Sequence, residues 1–277
     1  MKRARCAAFA ACVVALSGVA EAQQIQWTQT LNVPKGHNLP KGVVADILGI
    51  ELGDTYDEAK PKLEKLRAEE PSARPLEEAK KTIFLPLPDR TSIEASYVGR
   101  VILRRNFPGS GPRKIQEMLT VHFSAPSSGH QVLAVERHII YSEQGDQPRI
   151  GEMIAALKQK FKSEAKIDTG NTGTTVYFTF DNGAVYVPKE PHNVACGAVS
   201  AHSSDQAGIP LINRTGRCDV VMDVRFNHGI SKDHATAVWF ALHDYERGKA
   251  NLAADYAFFE NYVKQVQSRP AAPPPKL

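Results

Sequence analysis

"CDVVMDVRFNHGISKDHATAVWFALHDY", residues 218–245, holds two runs in which apolar side chains return at every second position, separated by Gly229-Ile230-Ser231-Lys232-Asp233. Period two marks a β-strand with one face buried, and a short polar break containing glycine makes the pair a hairpin. The strands are expected over 218–226 and 235–245. Val224, Phe226, Val238, Phe240 and Leu242 then form the buried row, while Asp223, Arg225, Ala237, Trp239, Ala241, His243 and Tyr245 share the opposite face.

The same alternation occurs over 94–104, 117–124 and 131–141, the last two joined by Ala125-Pro126-Ser127-Ser128-Gly129, and again over 174–180. Setting Phe123 on Phe226, an offset of 103 residues, also sets Leu119 on Met222, Val121 on Val224, Val135 on Val238 and Ile139 on Leu242. A helix precedes each set of strands. In the first, Thr55 and Glu58 form a capping box, with Tyr56, Ala59, Leu63 and Leu66 at helical spacing after it. In the second, Ile150, Met153, Ile154, Leu157 and Phe161 share one face. Asp54, Asp57 and Glu58 sit where a helix dipole favours negative charge, so the acidic stretch 47–63 is read as a helix entry. Residues 66–88, charged and broken by proline, are expected to be an irregular connection. Residues 253–266 carry Tyr256, Phe259, Tyr262, Val263 and Val266 at helical spacing. The resulting expectation is an α+β fold: a tandem repeat of a helix packed on an antiparallel sheet, with a C-terminal helix.

Residues 1–22 read as a signal peptide. Lys2, Arg3 and Arg5 precede an apolar run shorter than a membrane span, and Ala20-Glu21-Ala22 fits a cleavage site after Ala22. The first repeat then covers 23–145, the second 146–268, and a proline-rich tail 269–277. Removing the leader from a chain of net charge +4 takes away three basic residues and one acidic one, leaving +2. That balance lacks the basic stripe of a nucleic-acid binder. No later segment is long or apolar enough to span a membrane.

The mature chain keeps Cys196 and Cys218, an even pair in an exported protein, and a disulfide between them would stabilise the fold by about 3 kcal/mol. A metal site is the sharper alternative, since His192, Cys196, His202 and Cys218 are all plausible ligands, but their spacing matches no compact zinc module. His122, Glu136 and His138 lie on the matching face of the first repeat and could also ligate. No G-x-S-x-G, H-E-x-x-H or catalytic-cysteine signature is present, so no catalytic residue, metal or cofactor is assigned.

The short strand, the LGDTYDEAK turn at 52–60 leading into a helix, and the meander of strands resemble the SmpA/OmlA (BamE-like) and beta-lactamase-inhibitor-protein-like folds of bacterial envelope proteins. The resemblance implies small helix-plus-sheet modules that bind proteins, in the inhibitors as a tandem pair. The expected function is therefore an exported, periplasmic or secreted, non-catalytic protein that docks an envelope or extracellular protein on its sheet face. Arg225, Trp239, His243 and Tyr245 are the candidate binding residues, of types that dominate interfaces. A structural envelope protein without a discrete site is the alternative, and a secreted hydrolase a more distant one.

Overall fold

The computed structural model describes residues 25, 27, 39–86, 92–189, 218–229 and 231–268. The leader, the tail from residue 269, and Cys196, His192 and His202 lie outside them. Two short paired strands, β1 (Asp46–Ile47) and β2 (Ile50–Glu51), lead into the turn that starts α1 (Tyr56–Ala68). The Glu58 carboxylate accepts from both the backbone N–H (2.8 Å) and the hydroxyl (2.9 Å) of Thr55, so the acid closes the helix start as expected. Asp54 accepts from the Glu51 N–H at 3.0 Å and from the Lys62 ammonium at 2.6 Å. Pro61 lies inside α1 rather than at its first turn.

The remaining strands are β3 (Glu77–Pro86), β4 (Ser92–Phe107), β5 (Ile115–Phe123), β6 (Val132–Ile140), β7 (Lys166–Thr169), β8 (Gly173–Asp181), β9 (Ala184–Val185), β10 (Val220–His228) and β11 (Ala235–Asp244). They form one antiparallel sheet in the order β3-β4-β5-β6-β11-β10-β8-β7, with β9 added on β8. Helix α2 (Ile150–Phe161) connects β6 to β7, and helix α3 (Tyr245–Gln267) follows β11 without a loop. The fold is mixed α+β with a large antiparallel sheet and, among the described residues, three α-helices including a C-terminal one.

One face of the sheet is the helix face. Val101, Leu103, Leu119, Val121, Phe123, Val135, Phe178, Met222, Val224, Phe226, Val238 and Leu242 are buried there with Ala59 and Leu63 of α1 and Ile150 and Phe161 of α2. The Phe161 ring lies 5.0 Å from that of Phe178. Burying a side chain of this size contributes about 1.5–3 kcal/mol, so the shared core of both halves is the main source of stability.

Three sequence expectations need correction. Among the described residues, the irregular connection expected over 66–88 is confined to residues 69–76, because Glu77–Pro86 is a ten-residue strand pairing β4. Its Glu77, Glu78, Lys80 and Lys81 are the charges that protect a sheet edge from pairing with another chain, and they hid the strand's alternation. The C-terminal helix starts at Tyr245 rather than Ala253, because its first two turns bury Arg247, Gly248 and Asn251, and apolar periodicity begins only with Ala254. The offset of 103 also cannot hold for both strands of the hairpins. Val121 faces Val135, whereas Val224 faces Phe240 and Phe226 faces Val238, a register shift of two residues that preserves which face each row occupies.

Strand β4 changes faces at Gly99. Tyr97 pairs Lys81 and Arg100 pairs Ala79, leaving Gly99 as the extra residue of a bulge. Lys81 and Ala79 share a face, so Tyr97 and Arg100 do too, and Val101 lies on the other. Ile93, Ala95 and Tyr97 therefore leave the helix face and pack with Phe258 and Phe259 of α3 and with Ile25 and Trp27. Helix α3 lies on the opposite face from α1 and α2, at the end near the β5–β6 turn.

Polar groups lock α3 in place. Asp255 accepts from the Ser127 hydroxyl at 2.6 Å and the Ala125 N–H at 3.4 Å, and the Asn251 amide donates to Ser124 Oγ and Ser128 O, both at 3.0 Å. At Gly53, where φ is +81°, a Cβ would meet Arg247 Cζ at 2.8 Å, so the turn before α1 also rests on α3. On the helix face a buried ion cluster joins β4, β5 and β6. Glu117, 3 % exposed, takes Arg105 Nε at 2.5 Å and Arg137 Nε at 2.7 Å.

Glu117→Ala is expected to lower unfolding stability by about 3–5 kcal/mol, because the buried Arg105 loses its counter-charge. Denaturant unfolding checks this, and a loss under 1 kcal/mol would contradict the cluster's role. Burial pushes the Asp255 carboxyl up, partly offset by hydrogen bonds from Ser127, Ser128 and Ala125. The folded state therefore favours the protonated acid, and stability from this group falls as pH rises from the ordinary carboxylate range through the raised value. Relative to wild type, Asp255→Asn should gain thermal stability with rising pH across that window. A pH-independent difference in Tm would rule the effect out.

Candidate functional site

Strand registers place the residues of the face opposite α1 and α2 in ladders running across the sheet. One ladder reads Arg104, Met118, His138, Trp239, Arg225, Thr175, Asp168 from β4 to β7. The next reads Ile102, Thr120, Glu136, Ala241, Asp223, Tyr177, and the one beyond it contains His122, Ala134, His243 and Val221. These ladders differ sharply in burial. Thr120, Glu136, Ala241, Asp223, Ala134 and His243 are all buried, whereas Met118, His138 and Trp239 are half-buried and Arg225 is exposed. The open end of the face is the end away from α3.

The four candidate residues therefore separate. Arg225 and Trp239 are cross-strand partners at the open end. His243 lies at the covered end, 7 % exposed, with its ring stacked 5.6 Å from that of Tyr245. Tyr245 is the first residue of α3 and does not continue the strand row. Parity assigned the face of Arg225, Trp239 and His243 correctly and failed at Tyr245, where the strand has ended, and it carries no information about what lies over each end of the face.

At the centre of the open end, the His138 and Trp239 rings stack with centroids 5.1 Å apart and planes 29° apart. Burial holds the His138 imidazole below the ordinary histidine value, so it is neutral near pH 7. Arg225 donates to the Asp223 carboxylate, at 2.7 Å from Nη2, and this hydrogen bond raises the guanidinium pKa. The Asp223 side chain is only 2 % exposed, while that of Arg225 is 56 % exposed, so the arginine covers a buried acid and presents its remaining donors outward.

Clefts flank this pair. One, of about 590 Å³, is lined by Arg74, Glu77, Arg104, Met118, His138 and Ile140 among others. The second, of about 450 Å³, lies beyond Arg225 between β8 and β10, with Asp168, Thr174 and Asn227 in its lining. Arg104 donates to Glu77 at 3.1 Å and reaches the Met118 sulfur at 2.9 Å. Arg74, Arg104 and Met118 were not singled out from sequence. For Arg104 and Met118 the signal was available, since they share parity with His138 through the expected strand pairs. Arg74 lies in the irregular connection between α1 and β3, where no periodicity marks which way a side chain points.

His122 and Glu136 approach to 3.7 Å, and no group of three or more histidine, cysteine, aspartate or glutamate residues suited to a metal occurs among the described residues. The described helices include none long and apolar enough to cross a membrane. No family model, curated protein or solved structure matches this chain.

Replacing Arg225 by alanine removes a charge-assisted hydrogen bond from a buried carboxylate, and should lower stability by about 1.5–3 kcal/mol. Arg225→Lys should restore part of that loss. Equal unfolding free energies for wild type and Arg225→Ala would show that Asp223 does not depend on it.

Proposed function

We propose that this is an exported, non-catalytic binding module of the bacterial envelope that docks a protein partner on the open end of its sheet. The observation that carries this reading is the Arg104-Met118-His138-Trp239-Arg225 ladder. It brings two arginines, an aromatic stack and a thioether into one line across five strands, while the ladder on the α3 side is buried at its centre. Aromatic and arginine side chains supply most of the energy at protein interfaces, and a rigid sheet presents them with little ordering cost.

A tandem repeat is part of the proposal. It is supported by a strand order that mirrors about the β6–β11 ladder and by α1 and α2 packing into one core. Each half is then a helix followed by strands, with its last strand at the centre. That organisation is the one the SmpA/OmlA (BamE-like) and beta-lactamase-inhibitor-protein-like resemblance would imply. The leader directs the chain to an oxidising compartment, where Cys218, 4 % exposed, would bond Cys196. A mature chain beginning at Gln23, and lighter by two hydrogens than its reduced form, is the expected mass-spectrometric result. An N-terminus other than Gln23 would place export in question, and a reduced mass would remove the bridge.

The docking reading is tested by affinity capture from envelope extract, comparing the mature protein with Trp239→Ala and with a folded surface control, Tyr256→Ala on α3. A protein retained by wild type and Tyr256→Ala and lost by Trp239→Ala supports the sheet face. Equal retention by all three moves the site elsewhere, and capture by none favours a structural role.

A further inference from the structure

The larger cleft has a composition that its own residues do not balance. Strand β3 begins at Glu77, opposite Ile102, while β4 continues to Phe107. The segment before β3 follows that edge, with the Arg74 N–H donating to Arg104 O at 3.1 Å and the Ser72 hydroxyl to Asn106 O at 2.6 Å, and Arg74 so placed lines the cleft. Its two acids are already engaged. Glu77 accepts from Arg104, and Glu117 lies between Arg105 and Arg137. Arg105 and Glu117 are closed off in the buried cluster with Arg137, so the open charges of the cleft are Arg74 and Arg104 against Glu77, one cation in excess. The excess is localised: the Arg74 side chain is exposed and has no hydrogen-bond or ion-pair acceptor among the described residues. Asn106 and Gln116 add amides to the same wall.

Apolar groups stand beside the cations. Ile140, 36 % exposed, and Met118 line the cleft next to His138, which is itself stacked on Trp239. A ligand that satisfied only the charge would leave this apolar strip wet, and one that covered only the strip would leave Arg74 without an acceptor. A volume of about 590 Å³ is within the range of small-ligand sites and well above the size of a single tetrahedral anion. The near balance of charge in the whole chain gives no extended positive stripe of the kind a polyanion backbone would follow.

We infer that this cleft takes the carboxylate side chains of an acidic segment of the protein partner, with Arg74 as the primary cation, Arg104 as the second, and Ile140 and Met118 covering the adjacent backbone. This rests on the docking reading above and states its polarity: the partner meets the open sheet end with an acidic strip. The Arg74 backbone is tied to β4 through its N–H, but its side chain has no hydrogen-bond or ion-pair acceptor among the described residues, so its charge can be reversed without disturbing the core. Arg104 shares its charge with Glu77 and would strengthen its contact to an incoming acid only by weakening that bond.

Hexaglutamate is the probe, titrated calorimetrically into the mature protein at low and at moderate salt, with hexalysine and inorganic phosphate as the other arms. Wild type should bind hexaglutamate saturably and not hexalysine, with affinity falling as salt rises. Arg74→Glu should weaken binding about tenfold, while Lys264→Glu, an equal charge change on exposed α3, should leave it within about twofold. Equal loss in the two variants would reduce the effect to net charge and overturn the site, as would hexaglutamate binding unchanged by Arg74→Glu. Phosphate displacing the peptide at equal concentration would also overturn it, because the site would then be a simple anion site. Capture from extract separates this inference from the docking reading. A partner lost by Trp239→Ala but kept by Arg74→Glu would preserve the docking face and remove the acidic-segment assignment.

Discussion

The β6–β11 ladder is the interaction on which the rest of the structure depends. It pairs Ala134 through Ile140 with His243 through Ala237, and it is where the strands preceding α2 meet those following it. Without it the described strands would form a four-stranded and a five-stranded sheet, each with a long unpaired edge and half a core. With it, helices α1 and α2 rest on one continuous apolar face, and among the described residues the outer strands are the charged β3 on one side and the short β7 and β9 on the other. The same ladder sets Trp239 beside His138, so the central pair of the open face is a direct product of the contact that closes the fold.

A second constraint divides the opposite face into a covered and an open part. Because β4 reverses its faces at Gly99, its first half offers Ile93, Ala95 and Tyr97 to α3 while its second half offers Val101 and Leu103 to the main core. One strand thereby serves two cores. Burial also raises the Tyr97 phenol well above its usual range, as expected for a ring enclosed by aromatic neighbours with a buried carboxyl nearby. The position of α3 is then fixed by polar contacts to the β5–β6 turn, and these are directional in a way that apolar packing is not.

The elements legible in sequence were those whose burial is apolar and periodic. Strands β4, β5, β6, β10 and β11 showed period two because one of their faces is a core, and α2 showed period 3.6 because Ile150 and Phe161 bury against it. Strand β3 was hidden by its edge charges, and the start of α3 by burying Arg247 and Asn251 where a leucine pattern would have been expected. The candidate face was half legible. Parity put Arg225, Trp239 and His243 on one side, but whether a residue on that side meets solvent depends on where α3 crosses, and the chain reveals that only through polar contacts distant in sequence.

These features also explain why the open end differs from ordinary polar surface. A sheet face that lay permanently in water would be expected to alternate charged and hydroxyl side chains at every ladder. Here the exposed ladder instead carries Met118, His138 and Trp239 at its middle, with arginines at either side. If the proposed docking face is used, the aromatic pair would supply area whose burial is favourable with any partner of matching shape, while the arginines beside it would choose among such partners by charge. The asymmetry among Arg225, Arg104 and Arg74 would sharpen that choice. Arg225 is tied to a buried acid and serves the fold as well as the surface, whereas Arg74 beyond Arg104 serves only the surface. Under the docking proposal, affinity and selectivity would rest on different residues, so the cationic end could change its preference while the stack and the ladder that builds it stay intact.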